Sequence, residues 1–459
     1  MTACRPLRLT YRFLLVITLL FWARTQVQAQ FGLNSRANRQ LQQLVEFSET
    51  FEQGHTGFVL YDLDFGTELY GYQADRRFVP ASNVKLLTFL LAHRVLGHRT
   101  PGLLYQEYAD RYEVWGAGYP LLLHPAFTGY DEVAPWLRTL TKPLRLNFPA
   151  GTHQAVPRYG AGWSWDDYND GYVYERSALP VYGNRLFLDL TETDAGGRQT
   201  LIGAPFSVAS GLVELPEQRA RIRRAEFGNQ FTVRPGFIRG PGFPVERPLH
   251  LSPDLITNEL AAALPERSVS LGYLPYPAAG QAQQLPVSLP DTVYRRLLTD
   301  SDNFLAEQLL IAAAVQRYGR PAVGPVLVYG RDTLLAELGV DDVRWADGSG
   351  LSRYNLFTPR HLARVVMALD QEVGRDRLRS LLPAGGVSGT LANRFAGAEQ
   401  PYVWAKTGSL SGVVCVSGLV LTKRGKWLAF SFMHNNFVGG SGPYYRDMER
   451  TLRWCYDNL

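Results

Sequence analysis

Lysine is almost missing from this 459-residue chain: of 47 basic residues only Lys85, Lys142, Lys406, Lys423 and Lys426 are lysines. Arginine stays protonated in proteins, whereas a buried lysine can be neutralised, so a lysine inside an apolar run asks for a chemical reason. Cysteine is scarcer still, with three. That excludes a disulfide framework, and their spacing excludes a zinc site. Cys415, within "GVVCVSGLV", reads as a small core residue, and a Cys415–Cys455 bridge stays open for an oxidising compartment. No apolar run approaches the roughly 20 residues of a membrane-spanning helix. With hydrophobic residues at 46% and charged residues at 19%, the composition is that of a globular protein, not a disordered one.

The first residues stand apart. "MTACRPLRLTYR" is basic, Phe13 to Trp22 is apolar, and "VQA" ends at Ala29, which predicts a secretory signal peptide over 1–29 and therefore export. An N-terminal membrane anchor is the alternative. Cys4 precedes the apolar run and so cannot be a lipoprotein cysteine following it. Removing 1–29 takes away four arginines and no acid, so the net charge falls from +5 to +1. No basic patch remains to serve as a nucleic-acid footprint.

Residues 56–72 predict two strands around the "DFGT" turn, and Pro80 precedes a predicted helix from Asn83 to about Leu96 with Ser82 at its start. From 101 to 284 the texture changes: aromatics, glycines and prolines are dense and strand signals short, which predicts a β-rich insertion of one or two subdomains. Helical periodicity returns at "DTVYRRLLTDSDNFLAEQLLIAAAVQRYG". Two long strand candidates joined by "KRGK" and an amphipathic helix close the chain. The pattern predicts an α+β domain, 30–100 with 285–459, split by the insertion and with both chain ends in one sheet layer.

Lys85 lies three residues after Ser82, within reach on one helix face, and a neutral lysine can take the proton of a serine nucleophile. A helix cap followed by a snorkelling lysine is the bland alternative. Ser301, Asp302 and Asn303 open the next helical region and could be only a capping cluster. Lys406, Thr407 and Gly408 lie in a mostly apolar strand. There Lys406 supplies a cation, Thr407 and Ser409 supply hydroxyls for a carboxylate, and Gly408 admits a close backbone approach. Lys142, Lys423 and Lys426 read as solvated. Other reactive-looking residues read as structural. His434 is a strand residue without a serine elbow, "ADGSGLSRYN" lacks a phosphate-loop lysine, and Asp166, Asp167 and Asp170 form a solvated acidic loop rather than a metal site.

Ser-x-x-Lys, Ser-Asp-Asn and Lys-Thr-Gly in this order resemble the signature of the penicillin-recognising serine hydrolases. More narrowly, "FVPASNVKLLT", "WGAGYPLLL", "SDNFLAEQLL", "ADGSGLSRYN", "LLPAGGVSGTLANRF" and "WAKTGSLSGV" resemble the D-alanyl-D-alanine carboxypeptidase/endopeptidase family S13 of low-molecular-mass, class C penicillin-binding proteins. That resemblance implies a β-lactamase/DD-peptidase-like fold, an antiparallel sheet flanked by helices. It also implies a periplasmic peptidase acting on peptidoglycan stem peptides, inhibition by β-lactams, and no metal or organic cofactor. Residue by residue it implies Ser82 as nucleophile, Lys85 as its base, Ser301 as proton relay, Asn303 as amide holder and Lys406 as a fixed positive field. Thr407, Gly408 and Ser409 would form the wall that binds the terminal carboxylate. One departure is visible: Gly118, Tyr119 and Pro120 stand where the family usually reads Gly-Asp-Pro. A β-lactamase or esterase on the same scaffold, and a non-catalytic wall-binding protein, are the competing readings. No Glu-x-x-Leu-Asn motif is present to activate a deacylating water, and a binding relic need not keep Lys85. The oligomeric state is not legible.

Overall fold

The computed structural model describes residues 32–149, 156–193, 199–215, 222–234, 245–340, 342–397 and 399–459. The predicted signal peptide, 1–29, lies outside them. Among the described residues no helix is long and apolar enough to cross a membrane.

Five antiparallel strands form the central sheet, in the order Val403–Leu410, Val413–Leu421, Trp427–Asn435, His55–Asp62, Thr67–Tyr72. The first strand in sequence pairs with the last, His55 opposite Asn435, so both ends of the chain meet in one sheet as expected. Both faces are covered, which is why these strands read as continuous apolar runs rather than as alternation. Phe58, Leu60, Val414 and Val416 pack beneath the terminal helices Ser35–Val45 and Gly442–Asn458. Their neighbours Val59, Tyr61, Cys415 and Leu419 face the opposite core, with helices Val84–Leu96, Asn303–Tyr318 and Pro359–Val373. Cys415 and Cys455 are free and buried in these two different cores, so no bridge joins them.

The segment between helices Val84–Leu96 and Asp291–Thr299 builds a second five-stranded sheet. Its order is Val269–Gly272, Leu144–Asn147, Tyr112–Gly116, Arg99–Glu107, Gln283–Ser288, with parallel pairing among the first three strands. Strands from the two ends of the segment, Arg99–Glu107 and Gln283–Ser288, pair directly and close it on itself. Two three-stranded sheets and helices Val133–Thr139 and Pro253–Ala263 complete the region. Leu103, Val114 and Leu144 share one apolar cluster with Leu86 and Leu305, so the second sheet packs on the helices that carry the site instead of hanging from a linker. Gly118, at the departure from the family pattern, lies where a Cβ would stand 2.8 Å from the Ala312 nitrogen, and the Tyr119 hydroxyl donates to the Tyr130 carbonyl at 2.9 Å.

Candidate active site

A short 3-10 turn, Ala81–Asn83, delivers the chain into helix Val84–Leu96 and presents Ser82 at its mouth. Ala81 is held at a φ of 47°, a strained conformation for a residue with a Cβ. The turn is gripped from two sides by glycines that cannot be replaced without moving backbone. A Cβ at Gly408 would stand 2.7 Å from the Pro80 carbonyl oxygen and 2.9 Å from the Ser82 nitrogen. One at Gly350, whose φ is +86°, would stand 2.0 Å from the Ala81 carbonyl oxygen. Asn83 anchors the turn to the sheet by donating to the Cys415 carbonyl at 3.2 Å.

Lys85 is fully buried below Ser82. Its Nζ lies 2.9 Å from Ser82 Oγ, 2.5 Å from Asn303 Oδ1 and 2.6 Å from the Ser349 carbonyl oxygen. The last two partners can only accept. As an ammonium Lys85 donates to all three oxygens; in the neutral amine the two N–H groups go to the two pure acceptors and the lone pair faces Ser82 Oγ. Burial lowers the Lys85 pKa to about 8, against the opposing pull of Asp347, Glu307 and Asp302.

Lys406, mid-strand in Val403–Leu410, is also fully buried and donates to Ser301 Oγ at 2.9 Å and to the Thr407 carbonyl at 2.8 Å. Burial, and then the charge of Lys85, hold its pKa well below the ordinary lysine value, with Asp300 opposing. Ser301 sits at a φ of 62°, immediately before the cap of helix Asn303–Tyr318. That cap is Asp302, which accepts from the Leu305 N–H at 3.0 Å. Burial pushes the Asp302 carboxyl up, but Arg185 and Arg296 outweigh it and keep the group ionised.

Ser82, Ser301, Asn303, Thr407 and Ser409 line one cleft of about 670 Å³, with Lys85 and Lys406 in its floor and Gly408 against the Ser82 backbone. All eight residues singled out in the sequence therefore meet at one place. They put a hydroxyl beside an amine, a second hydroxyl–amine pair in the same cleft and hydroxyls along a strand, an arrangement able to carry out acyl transfer. His434 does not join them; it is buried against Phe51 and Tyr444 on the sheet face away from Ser82. Asp166, Asp167 and Asp170 lie on and beside the 3-10 turn Trp165–Asn169, and Asp167 lines the cleft. Among the described residues no cluster of histidine, cysteine, aspartate or glutamate could hold a metal ion.

Three contributors were not legible as such. Thr390 accepts from the Thr407 hydroxyl at 2.8 Å and fixes its direction. Glu307 accepts from the Gly348 and Ser349 N–H groups at 3.0 and 2.8 Å. Asp347 accepts from the Gly350 and Ser352 N–H groups at 2.9 and 2.7 Å. The last two shape the loop that carries the Ser349 carbonyl. The lone acid inside the apolar run "NFLAEQLLIAAA" was the available signal for Glu307.

A helix-flanked antiparallel sheet with Ser-x-x-Lys, Ser-x-Asn and Lys-Thr-Gly converging on one cleft is the fold of the penicillin-recognising serine hydrolases. The D-Ala-D-Ala carboxypeptidase 3 (S13) family model matches residues 37–101 and 151–452, and the chain belongs to that family. It is 26% identical to the D-alanyl-D-alanine carboxypeptidase DacB of Haemophilus influenzae, over 61% of this chain and 63% of that protein. It is 29% identical to the D-alanyl-D-alanine carboxypeptidase of an Actinomadura species, over 84% of this chain and 78% of that protein. The crystal structure of penicillin binding protein 4 (dacB) from Haemophilus influenzae superposes with a TM-score of 0.68 at 21% identity, covering 91% of this chain and 99% of that one. That likeness establishes the shared fold.

Proposed function

We propose that this chain is an exported, periplasmic serine-type D-Ala-D-Ala carboxypeptidase/endopeptidase that cuts peptidoglycan stem peptides through a Ser82 acyl-enzyme. Its catalytic unit is 30–100 with 285–459, and 101–284 is the insertion. The observation that carries the reading is the buried Lys85 amine, whose two N–H groups have acceptors and whose remaining direction faces Ser82 Oγ at 2.9 Å. Lys85 takes the Ser82 proton as Oγ attacks the penultimate D-alanine carbonyl. The C–N bond then breaks, and Ser301, backed by Lys406, passes a proton to the departing amine. Water hydrolyses the ester that remains.

Asn303 would hold the substrate's amide, and Thr407 and Ser409 its terminal carboxylate, with Gly408 letting strand and Ser82 backbone meet. The N–H groups of Ser82 and Ser409 would stabilise the oxyanion. A penicillin, which presents a carboxylate beside a strained amide, would acylate Ser82 in the same way. The test is D-alanine release from a stem pentapeptide, and cleavage of a cross-linked dimer for the endopeptidase part, by wild type and Ser82→Ala. Wild type releases D-alanine and the variant does not; equal release by both overturns the reading.

A further inference from the structure

Both acceptors that occupy Lys85 are themselves held from the inserted region. The Asn303 Nδ2 donates to the Tyr172 carbonyl at 2.7 Å, which fixes the amide so that Oδ1 and not the NH₂ faces Lys85. The Ser349 carbonyl is held less directly. Glu307 accepts from the Gly348 and Ser349 N–H groups with one oxygen, while its other oxygen accepts from Arg176 Nε at 2.7 Å and is in ion-pair contact with Nη2 at 2.6 Å. Asp347, which shapes the rest of the loop, accepts from Trp163 Nε1 at 2.8 Å. Arg176 also lies over the ring of Trp163, 5.1 Å from its centre, so the two contacts are joined at the cleft wall that Trp163 lines.

We infer that Trp163, Arg176 and the Tyr172 carbonyl, acting through Glu307, Asp347 and Asn303, are positioning groups that aim the Lys85 lone pair at Ser82. The insertion is then a clamp on the general base as well as a wall of the cleft. The inference rests on the general-base reading of Lys85 given above. Orientation of this kind is worth testing because small misplacements of a reacting pair cost rate steeply. A merely structural clamp would cost folded protein and leave the titration of the base alone.

The titratable groups facing Lys85 are the carboxyls of Asp347, Glu307 and Asp302, which favour its ammonium, and Lys406, whose own charge burial and Lys85 disfavour. Glu307→Gln removes an anion that favours the Lys85 ammonium, so the base deprotonates at lower pH. The rising limb of the acylation profile then moves to lower pH while the plateau falls. Trp163→Phe keeps an aromatic face for Arg176 but replaces the indole by a smaller ring and removes its N–H to Asp347.

The experiment is stopped-flow acylation of the purified chain by a chromogenic β-lactam across pH 6–10, with thermal unfolding of each variant alongside. The plateau rate constant falls about tenfold in Glu307→Gln with the limb displaced, and several-fold in Trp163→Phe, the loss expected from one buried hydrogen bond. If Glu307→Gln does not fold, Trp163→Phe decides alone. Wild-type rates with the limb in place overturn the inference, as do losses that only track the folded fraction. A wild-type chain that is never acylated defeats the general-base reading itself, and this inference with it.

Discussion

The inserted region buries arginines and the catalytic cleft buries lysines, and the contrast is clearest between Arg185 and the two lysines. Arg185, at the start of strand Arg185–Thr193, is 1% exposed and bonds to Asp302 and Glu246, so its charge is matched by carboxylates. Arg224, also 1% exposed, donates to the carbonyls of Ala225, Gly228 and Tyr168. Lys85 and Lys406 are buried more completely, yet their hydrogen bonds go to hydroxyl, amide and carbonyl oxygens. For a lysine, burial without a bonded carboxylate favours the neutral form, whereas an arginine keeps its charge even when, like Arg224, it is held by carbonyls alone. Where the protein needs a fixed cation it uses arginine; where it needs a group that can give up its proton it spends one of its few lysines.

The sharpest way to break that contrast is to put a permanent cation at the base. Lys85→Arg preserves the charge and removes the possibility of a lone pair, so acylation of Ser82 falls by about 10³-fold or more. Initial rates of D-alanine release measure it, and turnover within tenfold of wild type would refute the assignment. Gly408→Ala tests the close approach of strand and nucleophile. Its Cβ must push the strand off Pro80 and Ser82, and the acylation rate falls about 10²-fold while the chain stays folded.

The complementary test is in the arginine set. Arg185→Met leaves Asp302 and Glu246 short of a partner and destabilises the fold by about 3 kcal/mol or more, read from urea unfolding. The pH profile sharpens the contrast further. The reactive form of Lys85 is the neutral one, so acylation rises with pH, levels off near its pKa of about 8, and does not continue to climb toward the ordinary lysine value. At the small end, Lys142 pairs with Glu107 at the surface, so Lys142→Met changes unfolding free energy by less than about 0.5 kcal/mol and leaves turnover alone.

Much of the site was legible because its parts are local strings. Ser82 and Lys85 are one helical turn apart, Ser301 and Asn303 flank a capping aspartate, and Lys406 to Ser409 are consecutive along a strand. Each short stretch states its own geometry, and the odd lysines in apolar runs marked two of them. The groups that hold these residues were hidden for a physical reason. The Ser349 and Tyr172 carbonyls are backbone atoms that any side chain would carry, and Glu307, Asp347 and Trp163 find their partners only across the fold. In the insertion, strands such as Leu144–Asn147 and Val269–Gly272 are too short to show a period, and their parallel pairing is set by the cores they cover. The helix Asn303–Tyr318 shows the limit of periodicity as well. Every residue from Asn303 to Val315 is buried, so its apolar pattern marks a helix without singling out one buried face.

The most direct test of the account is intact mass after incubation with benzylpenicillin, for wild type, Ser82→Ala and Lys85→Arg, followed by peptide mapping. The account predicts one drug mass added to wild type, on the peptide that contains Ser82, and none on either variant over the same interval. An adduct that persists in Ser82→Ala, or a wild type that never gains mass and leaves the drug intact, would contradict it.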